Sequence, residues 1–353
     1  MDTLTHALSG ALSARATAAS QQTSTGLPLR RRIAIGFVVA ALPDLDVLAT
    51  WISPLSYLYH HRGVTHSLLM LPVWTLLLAL LCSKAIWRKG PDWRAYAGVI
   101  ALALGAHIAG DWITSFGTMV FAPLSDRRYA LGTTFIIDLW FTGIIVAGLL
   151  ASLLWRRTRI PAVAAGVALI GYVGLVQTYA RHLALDFAAG YANERGLDGA
   201  TITASPRPVS PFNWTLIVDN GKEVHYAHVN VVRRTLKTLS ADAGLFERLD
   251  APYRPLALAE WQVMPRFGNG QQAMLAKEVW TQPALGFFRW FAQHPVLYRV
   301  DQGKDEFCAW FQDLRFVTPG RDEVPFRYGL CRNSSGPWQA FQLLEERVRQ
   351  PLH

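Results

Sequence analysis

Three short stretches place histidine and aspartate at spacings that suit a bound cation. HIAGD puts His107 and Asp111 four residues apart, stacked on one helix face, so that an imidazole nitrogen and a carboxylate oxygen can hold the same ion. PDLD offers Asp44 and Asp46. Residues two apart are not neighbours on a helix, but Pro43 lacks an N–H and disfavours helix at Leu42, and an interrupted backbone there presents both carboxylates. HHRGVTH supplies His60, His61 and His66 around Gly63, which permits a sharp turn, with Arg62 available to an anion such as phosphate. A divalent metal held by such a set acidifies a bound water and polarises a phosphoryl or carbonyl group.

The elements that must position these residues are apolar. The chain of 353 residues is 51% hydrophobic and only 17% charged, which points to a membrane protein. Apolar runs close to the length needed to cross a bilayer occur at Ile33–Ile52, Thr65–Trp87, Ala95–Thr114, Phe135–Trp155 and Pro161–Tyr179. A shorter sixth run, Leu4–Ala19, carries Arg15. The net charge of +9 sits in residues 1–180, with 14 Lys/Arg against 7 Asp/Glu, while residues 181–353 are nearly balanced at 20 against 18. Its clusters, Arg30–Arg32, Lys84–Arg94 and Arg156–Arg159, fall on one side if the long runs alternate, which marks that side as cytoplasmic and argues against nucleic acid. The N-terminus has no basic region ahead of an apolar stretch, so no cleavable signal peptide is expected.

Counting depth along these runs brings Asp44, Asp46, His60 to His66, Asp111 and Asp138 to the outward leaflet, with Asp2 and His6 joining them if the first run also crosses or dips inward. Each residue has an ordinary alternative. A lone His6 can be a hydrogen-bonded structural histidine, Asp44 or Asp46 can cap a helix, Asp126 beside Arg127 and Arg128 reads as a loop ion pair, and Asp138 can orient a histidine from outside the ligand set. Ionisable groups at membrane depth are costly and mark function, and their coincidence at one depth favours a metal site.

From about residue 181 the pattern changes to alternating, aromatic-rich segments. WTLIVDNGKEVHYAHVNVV reads as a hairpin turning at Asp219–Gly221. The expected organisation is an α-helical polytopic membrane domain of five to six helices over 1–180, a linker over 181–210, and a mostly β extracytoplasmic domain over 211–353. Cys308 and Cys331 lie in that last region and can pair in an oxidising compartment, although spacing alone does not decide it.

Taken in order, MDTLTHALSG, PDLD, HRGVTHS, HIAGDWITSFGT and LSDRRYALGTTFIIDLWF resemble the YdjM-like proteins of bacterial inner membranes, regarded as metal-dependent hydrolases. The resemblance is strong over roughly residues 1–150 and weak beyond. That family is in turn regarded as distantly similar to the zinc phospholipase C and single-strand nuclease superfamily, which clusters up to three zinc ions on His and Asp ligands. The similarity implies His6, Asp44, His66, His107 and Asp111 as ligands, with Asp46 and His61 next, for one to three ions. The superfamily's glutamate and N-terminal amine ligands have no evident counterparts in these motifs.

The expected function is a membrane hydrolase that cleaves a phosphate ester of a lipid or lipid-linked substrate at the outward leaflet. Asp44 or Asp46 serves as general base, Arg62 with Arg127 and Arg128 contacts phosphate, and Asp2, His60, Thr65 and Asp138 support the ligands or the substrate. Two alternatives remain at this level. One is a ceramidase-like zinc amidase, disfavoured because the chain lacks HxxxH; the other is a metal transport or binding protein, disfavoured because the polar residues stop at one leaflet. The β domain can recognise substrate or a periplasmic partner.

Overall fold

The structure, a computed structural model, describes all residues except 20–25, 87–90, 304–305, 322–323, 334–335, 346–347 and 353. Trp87, Arg88 and Lys89, assigned above to a span end and a basic cluster, lie outside the described residues. The chain divides into a helical unit, Met1–Ile52 with Ser56–Tyr179, and a second unit, Ser53–Leu55 with Ala180–His353.

The helical unit runs α1 (Thr3–Ala16), α2 (Leu29–Ala41), α3 (Pro54–His60), α4 (Leu71–Leu80), α5 (Trp93–Trp112), α6 (Leu139–Leu154) and α7 (Ile160–Gly171). At Pro43 the α2 helix tightens into a 3-10 segment, Leu42–Trp51. A proline ring blocks the regular ladder at that point, and Asp44 and Asp46 ride on the altered segment. The buried positions of α5 are Tyr96, Val99, Ile100, Ala103, Leu104, His107, Ile108, Gly110 and Asp111, three- and four-residue steps that put the two polar groups on the same stripe as the apolar core. That stripe packs with Ile35, Val39 and Ala40 of α2 and Ala79 of α4. Helices α1 and α2 meet through glycine. A Cβ built on Gly10 would lie 2.1 Å from the Gly36 carbonyl oxygen, so only a hydrogen allows the two backbones to touch.

The sequence predicts five to six membrane helices; the structure supports fewer. Among the described residues two helices are long and apolar enough to cross a bilayer, Leu29–Trp51 and Ile160–Glu194, and a third follows if Pro54–His66 and Leu71–Ile86, bent by 77°, form one broken span. The physical reasons differ by helix. With 14 and 16 residues, α1 and α6 fall short of the roughly 20 needed at 1.5 Å per residue. Helix α5 has the length, 20 residues, but spends its C-terminal end on His107, Gly110 and Asp111.

The second unit opens with α8 (Thr178–Glu194), which continues α7 through a π turn at Tyr172–Gln177. Residues 181–210, read above as a linker, are therefore helix and strand: α8 followed by β1 (Thr201–Pro206). Ala180, Ala184, Ala188 and Ala192 form a small-residue face that packs on Trp214, Leu216 and Val229. One sheet holds β1, β2 (Asn213–Asp219), β3 (Glu223–Asn230) and β4 (Arg254–Pro255) in that order, with β5 (Gln262–Pro265) also pairing with β3. A second sheet is ordered β10-β9-β8-β7-β6 from β6 (Pro295–Gln302), β7 (Glu306–Asp313), β8 (Arg327–Asn333), β9 (Gln339–Leu343) and β10 (Arg349–Pro351). The turn at Asp219–Gly221 joins β2 to β3 as its residues dictate, with Gly221 at φ +86° and the Asp219 carboxylate accepting from the Gly221 N–H at 2.9 Å. Cys308 and Cys331 are directly opposed in the β7–β8 register and form a disulfide.

Candidate metal centre

Four separate elements deliver the polar cluster of the helical unit. Helix α1 supplies His6, the 3-10 segment after α2 supplies Asp44 and Asp46, the loop after α3 supplies His61, Arg62, Thr65 and His66, and the end of α5 supplies His107 and Asp111. One ligand atom from each of His6, Asp44, His107 and Asp111 lies within 4.8 Å of all the others. His6, His66, His107 and Asp111 are fully shielded from solvent, and Asp44 is half-buried.

Protons on the imidazoles are assigned by what surrounds them. The Ala40 carbonyl, 2.6 Å from His107 Nδ1, can only accept, so that nitrogen carries the hydrogen and Nε2 presents a lone pair. His107 Nε2 faces His66 Nε2 at 2.8 Å, Asp111 Oδ2 at 3.5 Å and Asp44 Oδ1 at 3.6 Å. The His66 ring is bracketed on both edges. Its Nδ1 meets Thr65 Oγ1 at 2.9 Å and Asp46 Oδ2 at 3.4 Å, while its Nε2 meets Asp111 Oδ2 at 3.1 Å and Asp44 Oδ1 at 3.8 Å. His6 stacks on the His107 ring with centroids 3.7 Å apart and reaches Asp111 Oδ1 with Nε2 at 3.1 Å. Gly110 makes room for it: a Cβ there would lie 3.0 Å from His6 Cε1.

Asp111 is the electrostatic centre. Its Oδ1 also receives Arg62 at 2.9 Å and the amino group of Met1. Asp2 caps α1, accepting from Thr5 N at 3.0 Å, and its own N–H binds the Ile136 carbonyl at 3.1 Å, which fixes the residue before it beside Asp111. The donor set of imidazole nitrogens and carboxylate oxygens suits a borderline divalent cation such as zinc. Asp111 Oδ2 has only imidazole nitrogens beside it, and the buried Asp44 Oδ2 makes no hydrogen bond among the described residues, as an oxygen reserved for a cation would.

These same segments lie inside a recognised family region: residues 1–184 match the YdjM inner membrane protein family. The chain belongs to that family. No curated protein and no solved structure matches it. Every residue of the cluster falls within the YdjM region, whereas nearly all of the β unit lies beyond it.

The remaining residues singled out in the sequence of this YdjM member fall into two groups. His61 joins the cluster through Asp46, Nδ1 to Oδ1 at 2.8 Å, and Asp46 Oδ2 accepts from the Arg62 backbone at 3.0 Å and from Thr65 Oγ1 at 3.4 Å. Arg62 is buried, with φ at +58°, and binds Thr114 Oγ1 at 2.7 Å as well as Asp111, so its guanidinium is engaged inside the protein. Arg128 ties the rim together, donating to the carbonyls of Leu58, His61 and Gly117 at 2.8 to 3.2 Å. Four residues sit away from the cluster. Asp2 is a cap; His60 is exposed and bonds the Ser56 carbonyl at 2.8 Å; Arg127 is exposed over the Tyr129 ring at 5.2 Å. Asp138 caps α6 through Phe141 N at 2.9 Å and accepts from Tyr172 and Gln177, with no histidine in contact.

In the β unit, Glu306, Cys308 and Cys331 also bring ligand-type atoms together, but the disulfide removes both thiolates from metal chemistry.

Proposed function

We propose that this YdjM protein is a metal-dependent hydrolase of the membrane that acts on phosphate esters of a lipid or lipid-linked substrate. One observation carries the reading: His6, Asp44, His107 and Asp111 converge from three elements to within 4.8 Å, all buried but the half-buried Asp44, with the His107 Nε2 lone pair aimed into the cluster by the Ala40 carbonyl. Holding two carboxylates and two imidazoles this close without a cation leaves Asp44 Oδ2 unpaired, at a cost of about 1–3 kcal/mol for the lost hydrogen bond. A divalent cation there, zinc by its donor set, supplies Lewis-acid polarisation and lowers the pKa of water.

The protein's own groups divide the work. Asp44 is the half-buried member of the cluster and the one placed to take a proton from an incoming water. Asp46 holds His61, His66 and the Arg62 backbone, and so fixes the loop that carries His66. Arg62 orients Asp111 rather than reaching outward, and in this reading the phosphate contacts come from elsewhere on the rim. The short helices α1 and α6, and the 20-residue α5, join the longer apolar ones in the bilayer, with the β unit extracytoplasmic. The disulfide in that unit supports the orientation, because such bonds persist in oxidising compartments.

The test is release of phosphate or head group from a lipid panel by the purified full chain. Release that stops on chelation and returns with zinc supports the phosphoesterase; fatty acid released from a ceramide with no phosphoester cleaved moves the assignment to an amidase.

A further inference from the structure

Outside the metal cluster, the feature of the fold most in need of an explanation is a loop of the second unit. Residues 231–244 leave β3 and run to a short helix, α9 (Leu245–Asp250), without forming a strand. Val232, Leu236, Leu239, Leu245 and Phe246 all stand exposed there, from 49% to 68%. Among the described residues from β1 onward only ten large apolar side chains are exposed, so five of them fall within fifteen residues of one another. Clustering of this kind marks a surface that is covered in use.

The loop is built to hold these side chains outward. Asn230 Oδ1 accepts from the N–H of Arg233 at 2.9 Å and of Val232 at 3.3 Å, which starts the turn. Arg233 then binds the Asp250 carboxylate at 2.6 Å and the Tyr253 carbonyl at 2.6 Å, and Lys237 binds the same carboxylate at 2.9 Å. Asp250 is itself buried and fixed by Asn213 at 2.8 Å. The first half of the loop is thereby tied at Arg233 and Lys237 to one buried carboxylate, which holds Leu236 between them outward and leaves Leu239 just beyond exposed.

Chemistry on the loop indicates what covers it. Residues 231–240, VVRRTLKTLS, interleave Arg233, Arg234 and Lys237 with aliphatic side chains and contain no acid; beyond them come Asp242, Glu247, which accepts from the Gly244 N–H at 3.1 Å, and Arg248 in α9. Basic residues alternating with leucine and a phenylalanine match a lipid surface, where the apolar tips enter the acyl boundary and the cations meet headgroup phosphates. A bilayer is also at hand for a chain of an inner membrane protein family, and the unit begins within the apolar helical run Ile160–Glu194.

We infer that the loop 231–244 with the start of α9 is a membrane-contact element, inserting Leu236, Leu239, Leu245 and Phe246 into the surface of the bilayer that the chain's own helices occupy, with Arg234 and Arg248 at the phosphates. The contact does not depend on the metal chemistry proposed above. It gives the second unit a fixed attachment at the leaflet surface.

The experiment uses the full chain in phospholipid vesicles with Cys82→Ser, the described free cysteine, and either Leu236→Cys or Phe246→Cys labelled with an environment-sensitive dye. Both positions are exposed, so the variants retain the fold, which the intact Cys308–Cys331 disulfide verifies by mass. Lipids spin-labelled near the headgroup should quench both dyes at least twofold more than aqueous iodide does. Dyes quenched by iodide and untouched by the lipid label overturn the inference, and dyes shielded from both quenchers overturn it in favour of a protein partner.

Discussion

His66 and His107 point their Nε2 atoms at each other across 2.8 Å. Since His107 has committed its hydrogen to Ala40, the distance across this gap is that of a hydrogen bond donated by His66, and the two nitrogens must part by a few tenths of an ångström to share a cation instead. The carboxylates of Asp44 and Asp111 around the same gap favour positive charge in it. Removing His107 and Asp111 together as His107→Ala plus Asp111→Ala deletes the α5 half of the site. Elemental analysis of purified protein should find near-stoichiometric divalent metal in the parent and at least a tenfold loss in the variant. Equal metal in both would remove this cluster as the binding site.

Arg62 neutralises Asp111 from a fully buried position. Truncation as Arg62→Ala leaves a buried carboxylate short of one partner, and breaking such pairs costs about 3–5 kcal/mol. Thermal unfolding in detergent should show a large fall in midpoint, and Arg62→Lys should recover only part of it, because a single ammonium cannot serve both Asp111 and Thr114. An Arg62→Ala variant as stable as the parent would show that the pair is dispensable.

Helix packing beneath the site rests on Gly10 and Gly36. Gly10→Ala drives a methyl into the Gly36 carbonyl and must part α1 from α2, at about 1–3 kcal/mol for overpacking. Since His6 rides on α1, the variant should bind metal more weakly as well as unfold earlier. Loss of stability with unchanged metal affinity would mean that α1 moves without carrying His6 out of place.

Acid sensitivity is expected in the β unit. Burial, with Arg207 beside it, pushes His228 down to about 3 from 6.5, so the folded unit keeps a neutral imidazole that the unfolded chain protonates. Burial alone would raise Asp219, but hydrogen bonds from His294, the Gly221 backbone and Arg266 outweigh it and bring the carboxyl to about 2 from 3.8. In both cases the unfolded state binds more protons, so stability is full above pH 6.5, falls from there toward pH 3 through His228, and falls again below 3.8 through Asp219. Hydrogen exchange of β2 and β3 amides, corrected for intrinsic rates, should lose protection between pH 6.5 and 4, and His228→Gln should flatten that dependence. Constant protection over the interval would contradict it.

Orientation of the β unit is open to chemistry on whole cells. Cys308 and Cys331 should resist alkylation until a reductant is added, and a phosphatase reporter joined after residue 353 should be active only if that end is extracytoplasmic. Ready alkylation without reductant, with a silent reporter, would invert the topology.

The cluster of histidines and aspartates was legible because its residues come as short motifs with fixed spacing: HIAGD on a helix, PDLD at a proline, HRGVTH at a turn. Sequence showed which residues carry polar chemistry in apolar surroundings, and the fold shows which of them meet. The sequence reads Asp138 as a group orienting a histidine from outside the ligand set; its hydrogen bonds to Phe141, Tyr172 and Gln177 mark it instead as a helix cap. The Met1 amine was not legible, since its position depends on the Asp2 cap and the Ile136 carbonyl, a contact between residues far apart in the chain. Helix α8 was missed for a different reason. Its core face is alanine at every fourth position, which buries little apolar area per residue and leaves no large-residue periodicity to read. The span count was overread because windows of apolar residues ignored helix length: α1 and α6 end after 14 and 16 residues.

The central claim is that the clustered histidines and aspartates run metal-dependent hydrolysis of a phosphate ester. The most direct measurement is head-group or phosphate release from a phospholipid panel by the purified full chain, beside the His107→Ala plus Asp111→Ala variant and a chelated sample restored with zinc. The account predicts release by the parent, none by the variant or the chelated sample, and recovery with zinc. Release that persists through chelation and in the variant would contradict it.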